Sequence, residues 1–273
     1  MAQAGSMLVN IKKLIGDPDS DYLDDTTGLT WLDEAQQRFC DEVLALDEIQ
    51  DFTITSKINR YDLATDSVLP IAVMWYLNST RKLSYRPPDL WYKLEAARSN
   101  ATGTPNNYTV LRRQLVIGPE VPQTASKTAT ASGLMSAATA TPNLSAASGT
   151  FRSKGFVKVE DEVMEYTGVA TTTLTGAVRG VHGTTAASHA SGVTVTQVDF
   201  QMTYRKSPIA LATGASPEIP KPWHRYLEKY ALYLAWLARG DSAKAQVALE
   251  EFEALERSAK KSVGRRVMDG VLR

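Results

Sequence analysis

Two histidines and a group of carboxylates lie close together in the middle of the chain, where they could in principle bind a metal ion. His182 and His189 flank the segment GTTAAS, and four carboxylates precede them: Glu160, Asp161, Glu162 and Glu165. Zinc needs three or four closely paired ligands, and the sequence has no C-x-x-C or H-E-x-x-H motif. The glycines here mark turns, and each histidine can hydrogen-bond a neighbouring backbone group. We therefore expect a structural role for both histidines and no metal.

A second candidate site is the acidic segment DPDSDYLDD, in which Asp17, Asp19 and Asp21 occupy the first three ligand positions of an EF-hand. The sixth position, normally glycine for a sharp turn, is Tyr22. The twelfth position, normally a bidentate glutamate, is Gly28. The segment is therefore predicted to be a solvated acidic loop.

The other residues that could take part in chemistry also favour a packing role over catalysis. Cys40 lies beside Phe39 in a helical pattern, which is typical of a buried small hydrophobe. His224 stands next to Trp223 at a helix start, where an aromatic cluster would use it for packing. No G-x-S-x-G, P-loop or G-x-G-x-x-G motif is present. We expect neither enzyme activity nor a cofactor.

The C-terminal tail is the one segment whose composition favours a binding role. Residues 257–273 carry six basic residues against one acidic residue, a local charge of +5. Gly264 and Gly270 are predicted to break the helix. The end is then either disordered or a segment that orders when it docks into a groove of another protein. Its candidate docking residues are Val263, Arg265, Arg266, Val267, Met268, Val271, Leu272 and Arg273.

Composition narrows the class of protein. The 273 residues suffice for one large domain or two smaller ones, and 30 acidic residues balance 30 basic ones. This balance argues against DNA affinity of the whole chain. One cysteine excludes an internal disulfide, so we expect a reducing compartment. No apolar run approaches the roughly 18–20 residues of a membrane span, and the N-terminus has no apolar signal core.

Helical periodicity predicts the elements at the two ends of the chain. A first helix is expected over Met7–Ile15, with Leu8, Ile11, Leu14 and Ile15 on one face. A second is expected to begin after Thr30, in a Thr30-x-x-Asp33 capping box, and to run to about Asp47.

A helical hairpin is predicted near the C-terminus. Gly240 ends its first helix, and Asp241 or Ser242 caps the second. The first helix has a broad apolar face: Trp223, Tyr226, Leu227, Tyr230, Leu234 and Leu237. The second has a narrower one: Val247, Phe252, Leu255 and Ala259.

The middle of the chain is predicted to be β-rich. Strand patterns run from about residue 51 to 85, and Pro88 opens a short helix. A strand pair follows within 103–122, with Leu111, Leu115 and Ile117 facing inward. The Ala/Ser/Thr-rich stretch 124–150 is either a flexible linker or a set of small strands. We interpret about 121–200 as a β module inserted into a parent domain whose strands resume near Phe200.

Four segments outside this module, taken in order, resemble the head-to-tail adaptor (connector) proteins of tailed bacteriophages. They are WLDEAQQRFCDEVLALDEIQDFTI, YDLATDSVLP, GTPNNYTVLRRQLVIGP and YLEKYALYLAWLARGDSAKAQVALEEFEALE. The likeness covers 1–120 and 200–260. Its most specific pieces are Gly103-Thr104-Pro105 before Tyr108 and the Gly240-Asp241 junction before Lys244-Ala245. Separately, EDEVMEYTGVATTTLTGAVRGVHGTTAASHASGVTV looks like a small β module common in phage neck and tail proteins.

The resemblance implies an α+β protein: a helical-bundle adaptor core with a small β region and an inserted β-rich, sandwich- or barrel-like domain. Residues 1–120 and 201–273 would form the core, and 121–200 the insert. Adaptors of this kind form a ring, usually of twelve subunits, below the portal in the virion neck. The ring extends the DNA channel without binding DNA specifically, and a C-terminal segment, here Val263–Arg273, docks on the portal. The partners would be the portal and a downstream tail or nozzle protein.

One alternative of a different class stays open. The chain could be a tail or neck accessory protein that binds or acts on carbohydrate or peptidoglycan through its β module.

Overall fold

The computed structural model describes residues 4–17, 19–20, 22–43, 46–76, 80–97, 103–118, 122, 124–145 and 151–271. The chain divides into two compact units. The helical unit comprises Met1–Asp47 and Arg205–Arg273, and the β-rich unit comprises Glu48–Tyr204. The predicted module 121–200 lies within the β-rich unit, and its status as an insertion stays a prediction. The architecture is mixed α+β.

Of the described α-helices, four belong to the helical unit and one, α3, to the β-rich unit. Their bounds are α1 Ala4–Ile15, α2 Asp25–Val43, α3 Pro88–Ala97, α4 His224–Ala238 and α5 Ser242–Val271. A short 3₁₀ helix, Lys221–Trp223, leads directly into α4. Pro88 opens α3 as predicted.

Four helices share one hydrophobic core in the helical unit, as their apolar stripes require. At its centre the rings of Tyr226 and Phe252 lie 4.5 Å apart between centroids, and Phe39 contacts Tyr226 edge-on at 4.8 Å. Cys40 is buried beside them, which confirms its predicted packing role. Burial raises the pKa of the Cys40 thiol to about 12, with smaller contributions from Asp41 and Glu218, so the thiol stays protonated.

The start of α2 corrects the sequence prediction. The helix begins at Asp25, and the cap is Asp24, whose carboxylate accepts hydrogen bonds from the Thr27 N–H at 2.9 Å and the Thr27 hydroxyl at 2.7 Å. The predicted cap, Thr30, lies inside the helix and donates to the Thr26 carbonyl. Gly28 lies inside the helix, and a Cβ at this position would lie 2.2 Å from a Leu8 methyl of α1. The glycine serves close packing of the two helices.

Two other helical predictions were wrong in detail. Leu14 was expected on the buried face of α1, but it is exposed, and Ala4 and Met7 are buried with the other predicted residues. Gly264 and Gly270 were expected to break the last helix, but the backbone of α5 continues through both. A glycine in a helix costs only about 1 kcal/mol relative to alanine, and two strong helix formers, Arg265 and Arg266, follow Gly264.

The hairpin junction confirms the prediction at its turn but not on its whole apolar face. Gly240 adopts a φ of +77°, and Asp241 accepts a hydrogen bond from the Lys244 N–H at 3.1 Å, which caps α5. Leu237 and Val247, both predicted to be apolar-face residues, are 52% and 59% exposed. The apolar stripe of the hairpin is therefore wider than the core that covers it.

The strands form four sheets, and all the described pairings except β5–β6 are antiparallel. The bounds are β1 Asp47–Phe52, β2 Arg60–Asp62, β3 Ser67–Trp75, β4 Arg81–Lys82, β5 Ser84–Tyr85, β6 Asn107–Leu111, β7 Gln114–Gly118, β8 Thr128–Ala131, β9 Leu144–Ser145, β10 Gly155–Val159, β11 Glu162–Tyr166, β12 Gly168–Ala170, β13 Thr173–Thr175, β14 Thr194–Gln197 and β15 Phe200–Lys206. The sheet orders are β1-β15-β3-β4, β2-β7-β6-β5, β11-β10-β14-β8-β9 and β12-β13.

The β-rich unit contains two separate hydrophobic cores. The first joins residues 52–117 to 200–204 and centres on Phe200, which stacks on Phe52 at 4.7 Å and on Trp75 at 5.7 Å. Leu115 and Ile117 belong to it, as predicted, whereas Leu111 is half-buried. The second core is confined to residues 129–195. Each core therefore draws on its own segments of the chain.

The stretch 124–150 contains strands β8 and β9, so of the two predicted alternatives small strands apply to its described part, 124–145. Alternate residues of β8, Ala129 and Ala131, face the second core. None of the described helices is both long and apolar enough to cross a bilayer.

Candidate functional site

Glu162 at the start of β11 organises the loop that carries the two histidines. Its carboxylate is 1% exposed and forms a bidentate ion pair with Arg179, with both nitrogen–oxygen distances at 2.6 Å. The backbone N–H groups of Gly180 and Ala187 also donate to it at 3.0 Å. His189 completes the shell, its Nε2 2.8 Å from Oε2. One buried carboxylate thus fixes both ends of the loop 179–189.

The charge state of Glu162 follows from these contacts. Burial raises its pKa, but hydrogen bonds from Arg179, from the Ala187 N–H and from His189 outweigh burial and lower the pKa to about 2. The group is therefore ionised at neutral pH. Because all its donors come from the loop, it has a structural role rather than that of a general acid.

His189 is engaged on both ring nitrogens. Its Nδ1 lies 2.6 Å from a Glu160 carboxylate oxygen, and the ring is 2% exposed. The predicted partners, neighbouring backbone groups, were wrong: the ring of His189 contacts two carboxylates. Among the described residues, no cluster of three or more His, Cys, Asp or Glu side chains could hold a metal ion.

His182 links the same loop to the first sheet of the β-rich unit. Its Nδ1 lies 2.8 Å from an Asp51 carboxylate oxygen and 3.1 Å from Gln201 Nε2, and its ring packs 4.5 Å from that of Phe156. Gln201 in turn bonds Asp51 and the Tyr76 hydroxyl. The loop is thus held by polar contacts at both histidines.

Gly180 shows why this loop needs glycine. Its φ is +63°, and a Cβ there would lie 2.7 Å from the backbone nitrogen of Ala186. A side chain at Gly180 would strain the backbone and would force the backbone at Ala186 to move away.

A second buried carboxylate, Asp199, connects the sheets next to the module. Ser126 donates to it at 2.5 Å and Arg152 at 3.1 Å, while the Ser126 oxygen accepts the Ile54 N–H at 2.6 Å. Burial raises the pKa of Asp199, although Ser126 and Arg152 oppose this change. Asp199 thus links Ser126 and Arg152 directly, and it links Ile54 through the Ser126 hydroxyl.

In the acidic segment, Asp17 bonds backbone groups of its own loop. The segment was predicted to be solvated, but Asp17 is buried and accepts the backbone N–H groups of Tyr22 at 3.2 Å and Leu23 at 2.7 Å, while Lys12 pairs with Asp25 and Ser20. Asp21 lies outside the described residues. Asp17 thus closes its loop through backbone donors.

Two cavities could receive a partner. One, of about 250 Å³, lies in the β-rich unit between the aromatic residues Tyr76, Phe156 and Tyr166 and the charged residues Arg152, Lys154 and Glu165. The other, which we call the hairpin groove, has a volume of about 330 Å³ between α4 and α5. Its apolar lining is Leu232, Trp236, Ala243, Val247 and Ala248.

The predicted docking tail lies at the end of α5. The backbone of Val263–Val271 is helical, while Leu272 and Arg273 lie outside the described residues. Glu160 and Glu162 were named with the histidines from sequence, but Arg179, the buried ion-pair partner of Glu162, was missed. The signal was present: Arg179 is the one arginine or lysine among residues 159–192, opposite four carboxylates.

Comparison with known proteins adds the family. The family model described as SU10 adaptor protein matches residues 2–273. No curated protein matches the chain.

Proposed function

The chain belongs to the SU10 adaptor protein family and is thus a phage adaptor-type structural protein, and we propose that it is the head-to-tail adaptor of a virion. In this proposal twelve copies form a ring in the virion neck, below the portal. The ring extends the DNA channel, supplies the attachment surface of the tail and serves as a conduit for genome ejection. The match over 2–273 carries the proposal, because it spans both units.

The charge balance supports a conduit. Thirty acidic and thirty basic residues give a net charge of zero, so the long-range attraction that drives sequence-independent DNA binding is absent from the chain as a whole. DNA would pass through the lumen without specific binding. Locally, an acidic segment near residue 20 and a basic C-terminal end suit complementary contacts between virion proteins.

The docking tail is assigned to Val263–Arg273. The segment combines Arg265, Arg266 and Arg273 with five apolar residues, a composition suited to an acidic and apolar groove on the portal. Its place at the end of the 30-residue helix α5 supports the assignment, because a long helix can carry a docking segment beyond the core.

The region 121–200 is proposed as an inserted β module of the adaptor. The confinement of one hydrophobic core to residues 129–195 supports this interpretation, as does the start of β15 at Phe200. A version without 121–198, closed by a short Gly/Ser bridge, should retain the helical circular dichroism of the rest. An insoluble product would contradict the insertion.

The central experiment mixes the purified protein with its portal and measures mass by photometry and shape by cryo-electron microscopy. We expect a ring that forms on, or is stabilised by, the portal. A stable monomer that ignores the portal would overturn the adaptor proposal.

The tail assignment is tested by ending the chain after Ser262. Portal attachment should be lost while helical circular dichroism stays nearly unchanged. The matched control is Arg257→Ala, which removes an exposed basic residue of the same helix upstream of the tail. Unchanged attachment of the truncated chain would contradict the assignment.

A second candidate rests on the cavity beside Tyr76, Phe156 and Tyr166. Aromatic walls with nearby charged groups are the usual composition of a saccharide site, so a carbohydrate- or peptidoglycan-binding accessory protein is the alternative. Glycan binding by a monomer that ignores the portal would favour it.

A further inference from the structure

The hairpin groove is an apolar surface that the described residues leave uncovered. Val247 in its lining is 59% exposed, and Leu237 at the end of α4 is 52% exposed, although both belong to the apolar stripe that the sequence places on the hairpin. An apolar stripe wider than the core it faces indicates a partner.

The rim of the groove specifies an uncharged occupant. Lys229 pairs with Glu251, and Lys244 pairs with Asp241 at 2.9 Å while it lies 4.2 Å above the Trp236 ring. Each rim charge therefore already has an opposite charge. A charged side chain that entered would lose water without gaining an ion-pair partner.

The Leu134 loop, residues 132–138, meets this requirement. Leu134 is 74% exposed, the highest value among the large hydrophobic side chains of the described residues, and Ala137 and Ala138 beside it are also exposed. The surrounding segment 124–145 contains one charged residue, Lys127. The exposed hydrophobics of the helices differ, since Leu14 adjoins Lys13 and Tyr92 adjoins Lys93.

The loop is also held in place before any partner arrives. The Gly133 N–H donates to the Ser191 hydroxyl at 3.1 Å, and Met135 exchanges backbone hydrogen bonds with His189 at 3.0 and 2.8 Å. Met135 itself is buried in the second core. A fixed leucine loses little conformational freedom when it binds.

We propose that Leu134 of one copy inserts into the hairpin groove of a neighbouring copy of the same chain. Leu134 and Val247 are both exposed in the single chain, so each can take a partner. In the proposed ring the loop of each copy meets the groove of the next, which makes the contact head-to-tail, and it repeats from copy to copy until the ring closes. This inference rests on the proposed ring and gives the β module its role, as the link between subunits.

The test uses two cysteine variants that are purified separately. Leu134→Cys and Val247→Cys are mixed under ring-forming conditions with portal and then treated with a short bis-maleimide. A covalent dimer should form in the mixture and in neither variant alone. Cys40 contributes no background, because it is buried and protonated. The matched control replaces Leu134→Cys by Leu90→Cys, an exposed leucine on α3, and should give no dimer above background.

A second measurement avoids cross-linking. Leu134→Asp should raise the protein concentration needed for half-maximal ring formation at least about tenfold, the scale expected for one lost leucine contact. Its circular dichroism should match that of the wild type, because Leu134 is exposed. Leu90→Asp should assemble as the wild type does.

The outcomes separate the two proposals. Rings that form without the Leu134–Val247 dimer, or at an unchanged concentration in Leu134→Asp, overturn the contact and leave the adaptor ring standing. A dimer of Leu134→Cys with the portal in place of Val247→Cys overturns it as well. If the wild type forms no ring with portal, the proposed function fails and this contact fails with it.

Discussion

The two units of the protein hold their shapes by different means. The helical unit relies on large apolar side chains such as Tyr226 and Phe252, with its ion pairs mainly at the surface. The second core of the β-rich unit combines the small residues Ala129 and Ala131 with larger ones such as Phe151, and the unit also buries carboxylates such as Glu162 and Asp199. The Ala/Ser/Thr-rich stretch 124–145 itself adds little apolar area to this core. Buried carboxylates with several donors then fix the loops.

The comparison predicts that the largest loss of stability follows when an aromatic core residue of the helical unit is removed. Phe252→Ala should lower the free energy of unfolding by about 4 kcal/mol, because Phe252 is fully buried between Tyr226 and Tyr230. Urea titration followed by circular dichroism at the helical minimum measures the loss. The control Leu237→Ala removes a half-exposed side chain of the same hairpin and should cost under about 1 kcal/mol.

In the β-rich unit the comparable variant removes a charge. Arg179→Met should cost about 3 kcal/mol, since it leaves the Glu162 carboxylate buried without its bidentate partner. Hydrogen exchange should rise in the loop 179–189 and not in α4. The matched control is Arg257→Met, because the Arg257 side chain is 68% exposed, and it should change stability by less than about 0.5 kcal/mol. Equal losses in the two variants would contradict the contrast between buried and surface charge.

Acid should destabilise the β-rich unit by protonating Glu162. Its pKa is lowered from 4.5 to about 2, so its stabilising contribution is present above pH 4.5 and is lost as the pH falls toward 2. Asp199, with a raised pKa, has the opposite sign. Comparison with Glu162→Gln isolates the first group: between about pH 5.5 and pH 3 the wild type should lose about 2 kcal/mol more than the variant. Parallel pH profiles would refute the assignment.

The smallest expected effect is the difference in stability between substitutions at two loop glycines, Gly180 and Gly192. Gly180→Ala should cost about 2 kcal/mol, because strain at φ +63° adds to a contact of 2.7 Å with Ala186. Gly192→Ala has a φ of +88° but open space around its Cβ, so it should cost only about 1 kcal/mol. Thermal denaturation gives the difference. If the two substitutions cost the same, the close contact at Gly180 is unimportant.

The same contrast explains what the sequence could predict. Periodicity identified α1 and the hairpin, because an apolar stripe repeats along one helix, and Pro88 identified the start of α3. It misplaced the start of α2, since Thr30 also fits a capping pattern, and it could not separate residues covered by the core from those left exposed, such as Val247. The site around Glu162 was out of reach of periodicity, because its partners lie 17 to 27 positions away and share no repeat.

The chain order of the two units has a consequence for synthesis on the ribosome. Contacts of the helical unit join distant positions: Tyr230 donates to Glu34 across 196 residues. Helices α1 and α2 leave the ribosome before residues 48–204, and their packing partners α4 and α5 follow after those residues. The β-rich unit can therefore fold while α1 and α2 wait, with apolar faces that a chaperone could cover. The helical unit can close only after α4 and α5 have been made.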